Sequence, residues 1–175
     1  MSETPPQPPL ARDELVATGT EREVLDAFLD HYREVVVRKA RGLTEEQLRI
    51  RHVPSATTLA GIIRHLTGVE RGWFQHRLAQ RPMDELDPNT GGREPSWELD
   101  PDDTIDRLVA DYEAACEESR RIAAGMELDD AVPSPRLGQV SLRWILVHMI
   151  EETARHAGHA DILRELTDGA TRLDG

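Results

Sequence analysis

Four stretches of this chain place apolar residues three and four positions apart, and that periodicity limits the fold more than any other feature. In the first stretch, Val24, Leu25, Phe28, Leu29, Tyr32, Val35 and Val36 recur over residues 21–40. Such spacing puts them on one face of an α-helix, so the pattern predicts a helix that buries that face. Thr20-Glu21-Arg22-Glu23 precedes it as a capping box, and Gly42 follows as a stop. Thr44-Glu45-Glu46-Gln47 is a second capping box and predicts a short helical turn. Pro54 and Ser55 break the chain. A second long helix is predicted from about Thr57 to Ala79, with Leu59, Ile62, Ile63, Leu66, Val69, Trp73 and Leu78 as its stripe. Asp100 as N-cap and Pro101 as first helical residue predict a third helix, reaching about Ala124 with Ile105, Leu108, Val109, Tyr112, Ala115 and Ile122 inward. The last helix is predicted from about Ser141 to just before Gly169. Residues 81–100 and 125–140, rich in Pro, Gly and Asp, are expected to be loops. No strand run of weight and no fixed-period repeat is visible. The expectation is therefore an all-α fold, a four-helix bundle. Residues 1–18 are Pro-rich and polar and are expected to be a disordered tail, with residues 19–175 forming a single domain.

Charge and composition remove several function classes. The net charge is -12, whereas partners built on phosphate need a basic surface, so neither nucleic acid nor an anionic membrane surface is expected. No apolar run approaches the ~20 residues that span a bilayer. The first 14 residues have no basic or apolar signal-peptide region, so none is expected. Cys116 is the sole cysteine, which excludes an internal disulfide and fits a reducing cytoplasm. It lies in a Glu-rich helical stretch and is read as a packed residue, not a nucleophile.

The last helix contradicts its own pattern. Leu142, Ile145, Met149, Glu152, His156, His159 and Leu163 fall on one seam, so Glu152 and His156 stand where a bundle asks for leucine. A buried carboxylate left alone is costly. Three remedies are open: an i,i+4 ion pair between Glu152 and His156, a stripe splayed toward water, or a shared divalent metal. The second helix adds His65 at the edge of its apolar face, beside Ile62, Leu66 and Val69. His65, Glu152 and His156 brought together would make a three-ligand site with an open fourth position, the pattern of catalytic zinc; nickel and iron suit the same donors.

The segments RHLTGVERGWF and LRWILVHMIEETARHAGHADILRE resemble the DinB/YfiT-like superfamily, in particular its small actinobacterial members. A single lysine, Lys39, among many arginines agrees with such a host. The resemblance implies a four-helix bundle with a metal held by one His of the second helix and a pair four residues apart on the last. The matching positions are His65, Glu152 and His156. The first ligand of the last helix is thus Glu, as in the metal domain of the mycothiol-dependent maleylpyruvate isomerases. Those isomerases carry a further C-terminal domain, and the sequence given stops at Gly175, so S-transfer is expected before isomerisation. The implied activity is metal-dependent transfer of a low-molecular-weight thiol, mycothiol in this host class, to a small electrophile, by a homodimer. Arg155 is the candidate for thiol binding, with Arg64 and Arg71 nearby in sequence. His159 is the candidate catalytic group, though it or His148 could equally hydrogen-bond a ligand or simply pack. A metal hydrolase would need one of these two as its general base. A non-catalytic, stress-linked metal-binding bundle is the reading from another class.

Overall fold

The structure is a computed structural model that describes residues 10–91 and 97–171. Helix α1 spans Glu21–Ala40, α2 Glu45–Leu48, α3 Leu59–Glu70, α4 Ile105–Ala124 and α5 Leu142–Asp168. The caps explain the boundaries. Thr20 and Thr44 each accept from the backbone N–H three residues on, while Glu23 and Gln47 reach back, closing both predicted capping boxes. Ser141 accepts from the Trp144 N–H, and Gly169 ends α5 in the left-handed region at φ 77°.

Three boundaries differ from expectation. The second helix is capped by Thr58 and is α-helical only to Glu70; Arg71–Leu78 continues it as a π-helix, with the Ala79 N–H donating to the Phe74 carbonyl at 2.9 Å. Periodicity alone does not separate these two ladders. The third helix starts at Ile105 under Thr104, not at Pro101. Asp100 and Asp103 are drawn away to Arg64 of α3, and the Asp103 carboxylate also accepts from the Asp100 N–H at 2.8 Å, so Asp100–Asp103 forms a turn. Within the expected loop 125–140, Ala131–Ser134 (β1) pairs antiparallel with Gly138–Ser141 (β2). Strands of four residues are too short for an alternation signal, and Gly138 at φ 77° supplies the turn.

The bundle packs α1 along α5 and α3 along α4. Two apolar clusters fill it. One joins Val36, Ile62, Leu66, Tyr112 and Leu163; the other joins Leu29, Val69, Phe74, Ile145 and Met149. Between them lies a polar layer. Arg33 of α1 donates to both carboxylate oxygens of Glu70 on α3, at 2.8 and 2.7 Å, and both residues are buried. On α5 the same level holds Glu152, Thr153 and His156. The chain end of α1 is tied down by Arg164, which donates to the carbonyls of Lys39 and Arg41. Of the Pro-rich segment, residues 1–9 lie outside the described residues. Beyond it Glu14–Val16 forms a 3-10 turn, and Arg12 pairs with Glu34 at 2.7 Å. Among the described residues, no helix is long and apolar enough to cross a membrane.

Candidate metal centre

Three donor atoms from two helices meet where the polar layer reaches the seam between α3 and α5. His65 holds Nε2 3.3 Å from Oε1 of Glu152. His156, one turn after Glu152 on α5, holds its own Nε2 3.3 Å from the same oxygen. One atom from each residue lies within 4.8 Å of the other two. Both imidazoles are buried, and Glu152 is only 14% exposed at its side chain.

The spacing suits a coordination site as well as an ion pair. N–H···O bonds favour about 2.9–3.0 Å, so 3.3 Å is long for both contacts. A tetrahedral ion with ligands at about 2.0–2.1 Å sets its donors about 3.3–3.4 Å apart. The donor set fits a divalent cation of the zinc type, and imidazole with carboxylate also suits nickel or iron. The hydrogen bond with His156, and then that with His65, holds the Glu152 carboxyl well below the usual carboxylate range although burial pushes the other way. The carboxylate is therefore ionised and ready to ligate throughout the range where imidazole is neutral.

The surrounding side chains hold these donors in place. Arg155 donates to Oε2 of Glu152 at 3.1 Å and also pairs with Glu151, so it grips the oxygen that the two imidazoles do not address. Nδ1 of His159 lies 3.4 Å from Nδ1 of His156. Burial, then the neighbouring His156 and Arg155, lower the pKa of His159 and favour its neutral ring. Trp97 stacks on His65 with centroids 4.1 Å apart and planes 16° apart, and tilts against His156 at 5.2 Å.

A family model described as mycothiol-S-transferase matches residues 24–169. The chain belongs to the mycothiol S-transferase family. That family lies within the DinB/YfiT-like superfamily, in agreement with the all-α bundle. No curated protein matches the chain.

Set against the family's name, the expected residues divide into two groups. His65, Glu152 and His156 converge in one group. The arginines expected near a thiol are all engaged by carboxylates: Arg155 by Glu151 and Glu152, Arg64 by Asp100 and Asp103, Arg71 by Asp87 and Asp111. His148, one turn before Glu152 on α5, is not among the three donors. It stacks on Trp144 with planes 17° apart and meets Trp73 edge-on, and burial lowers its pKa toward the neutral form. His31, His52 and His76 bond to Asp13, Thr167 and the Arg81 carbonyl, far from the site in sequence and partner. The sequence reading missed Trp97. Its signal was the one aromatic residue within residues 81–100.

Proposed function

We propose that this protein is a metal-dependent S-transferase that joins a mycothiol-type thiol to a small electrophile. The thiol proton goes to water and the sulfur bonds to the electrophilic atom; a halide then departs with its electron pair, or in an epoxide or quinone the oxygen keeps that pair and takes a proton from water. The observation that carries the reading is the meeting of two imidazole nitrogens and one carboxylate oxygen within 4.8 Å of one another. Three protein donors, rather than four, is the count of catalytic zinc sites. A divalent cation held there would supply Lewis acidity that lowers the pKa of a thiol beside it.

The chain's own residues then have separable tasks. His65, Glu152 and His156 hold the cation. Arg155 fixes the rotamer of Glu152 through Oε2. If Nε2 of His156 is the ligand atom, its Nδ1 carries the hydrogen and donates to Nδ1 of His159. That uses the ring lone pair of His159, which makes it a positioning residue, the ligand-supporting alternative, and not the catalytic group. Trp97 covers His65 and keeps water from one side of the donors.

The test is product formation. Zinc-loaded protein is mixed with mycothiol and a panel of haloaromatic, epoxide and quinone electrophiles, and thioethers are measured by mass spectrometry. The proposal expects a thioether that disappears after chelation and in His156→Ala. Metal that stabilises the fold while no panel member forms a thioether would favour the non-catalytic bundle.

A further inference from the structure

The helix that carries His65 continues past the metal centre. Val69 follows His65 by one turn, about 6 Å along the axis, and Gly72 and Trp73 lie in the π-helical segment that comes next. Such segments are rare and frequently mark functional sites. Over this stretch opens a cavity of about 270 Å³, lined by Val69, Gly72, Trp73, Arg77 and Met83, with Gly91 closing one side. That side is fixed by backbone packed on backbone. The Gly91 N–H donates to the Gly68 carbonyl at 2.8 Å, and a methyl group on Gly72 would come within 2.9 Å of the Gly91 Cα.

Three features describe what the cavity can hold. Its volume falls below the roughly 300–1,000 Å³ of pockets for drug-sized ligands, so it suits a single ring. Trp73 gives it a flat apolar wall. His148 meets that indole edge-on at 4.8 Å and Trp144 tilts against it at 5.5 Å, so the wall is braced from α5. Met83, 40% exposed, adds an adaptable thioether. The third feature is Arg77. It forms no ion pair among the described residues, and its hydrogen bond to the Pro133 carbonyl is long at 3.4 Å. No carboxylate lines the cavity among the described residues. In a chain with 33 acidic and 21 basic residues, a guanidinium without a carboxylate stands out. Its N–H groups are left for an oxygen acceptor, whereas His76 beside it is bonded to the Arg81 carbonyl.

We propose that this cavity is the acceptor site, and that it binds a small quinone with its ring against Trp73 and Met83 and one carbonyl oxygen accepting from Arg77. Its role as acceptor site rests on the S-transferase reading of the metal centre. A quinone joins what the cavity offers to what that reaction needs: its ring is flat and uncharged, and its electrophilic carbons are conjugated with the oxygen that Arg77 addresses. As the sulfur bonds to a ring carbon, the electron pair of the C=C bond moves to that oxygen, which takes a proton from water. The hydrogen on the attacked carbon then leaves as a proton and the second oxygen gains one. The product is a hydroquinone thioether, and no oxidant or reductant is consumed.

The test is isothermal titration of the zinc-loaded full chain with duroquinone, whose four methyl groups leave no ring position free for thioether formation. Cyclohexane-1,4-dione, with the same carbonyls on a puckered ring, and benzoate, with a flat ring and a charge, are titrated alongside. Duroquinone should bind, and more tightly than either. Arg77→Met should weaken it about tenfold or more, and Trp73→Leu about three- to tenfold. Arg77→Met removes only one long hydrogen bond, so its urea midpoint should match that of the unaltered chain. Binding should persist in His156→Ala, which separates this cavity from a carbonyl oxygen seated on the metal. The proposal is overturned if duroquinone does not bind, if the dione or benzoate binds as tightly, if Arg77→Met or Trp73→Leu binds normally, or if binding is lost in His156→Ala. Duroquinone binding with these dependences, while mycothiol forms no thioether with any electrophile, upholds the quinone site and overturns the transferase reading alone.

Discussion

Replacing Glu152 with leucine separates a structural ion pair from a metal ligand, because the two accounts give opposite orders of stability. Leucine is the residue that the α5 stripe asks for at this position. Glu152 is 14% exposed, so a leucine there would gain about 1.3–2.6 kcal/mol of the roughly 1.5–3 kcal/mol that full burial brings. Against this stand the two imidazole contacts, long at 3.3 Å, and the half-exposed Arg155 pair, which together contribute about 1.5–3 kcal/mol. The terms nearly cancel. Urea denaturation at pH 8 with a chelator present should therefore place Glu152→Leu within about 1.5 kcal/mol of the parent chain. With free zinc buffered at a thousand times its Kd, the parent should gain about 4.1 kcal/mol. The variant should gain almost nothing, so the order then favours the parent clearly. If the variant instead loses about 3–5 kcal/mol in chelator, as a broken buried ion pair does, and zinc stabilises both chains equally, the coordination account is wrong.

Other expectations follow from the same geometry. His159→Phe removes the acceptor for Nδ1 of His156 and should weaken metal affinity about 10–100-fold with the fold intact, read by chelator competition; unchanged affinity contradicts the positioning role. The pH dependence has a definite sign. The pKa of Glu152 is depressed in the folded chain, so its contribution is present above the unfolded value near 4.5 and is lost only as pH falls through the lower folded value. Metal release on mild acidification should therefore leave the Glu152 carboxylate ionised; a protonated-carboxyl infrared band that appears together with metal loss, and is absent in Glu152→Leu, refutes this. Glu70→Ala leaves Arg33 charged and buried and should cost about 3–5 kcal/mol in urea denaturation, whereas Arg33→Met with Glu70→Leu should recover most of it. Trp97→Phe should remove most of the tryptophan quenching caused by nickel or cobalt, since Trp97 is the indole stacked on His65; equal quenching in that variant argues against the stacking.

The fold and half of the site were legible for identifiable reasons. Capping residues announce themselves locally, which is why Thr20, Thr44, Ser141 and Gly169 mark helix ends in the structure as in the sequence. Glu152 and His156 stand out because they interrupt an otherwise apolar stripe. What stayed hidden depends on contacts between distant segments. The Asp100–Asp103 turn exists because Arg64 recruits its carboxylates from another helix. Glu70 lies next to Val69 in the α3 stripe and looks solvated until Arg33 is seen facing it across the bundle. Trp97 reaches His65 from a loop, where no periodicity relates the two. Arg155 looked like an anion binder, and only its geometry shows the carboxylates of Glu151 and Glu152 already in its grasp.

The most direct test is the visible absorption of the cobalt-substituted chain during titration with mycothiol. The account predicts intense tetrahedral bands, a new sulfur-to-metal charge-transfer band that grows with one equivalent of thiol, and loss of both in His156→Ala. Cobalt that binds without any thiol-dependent change, or binds equally to His156→Ala, would contradict it.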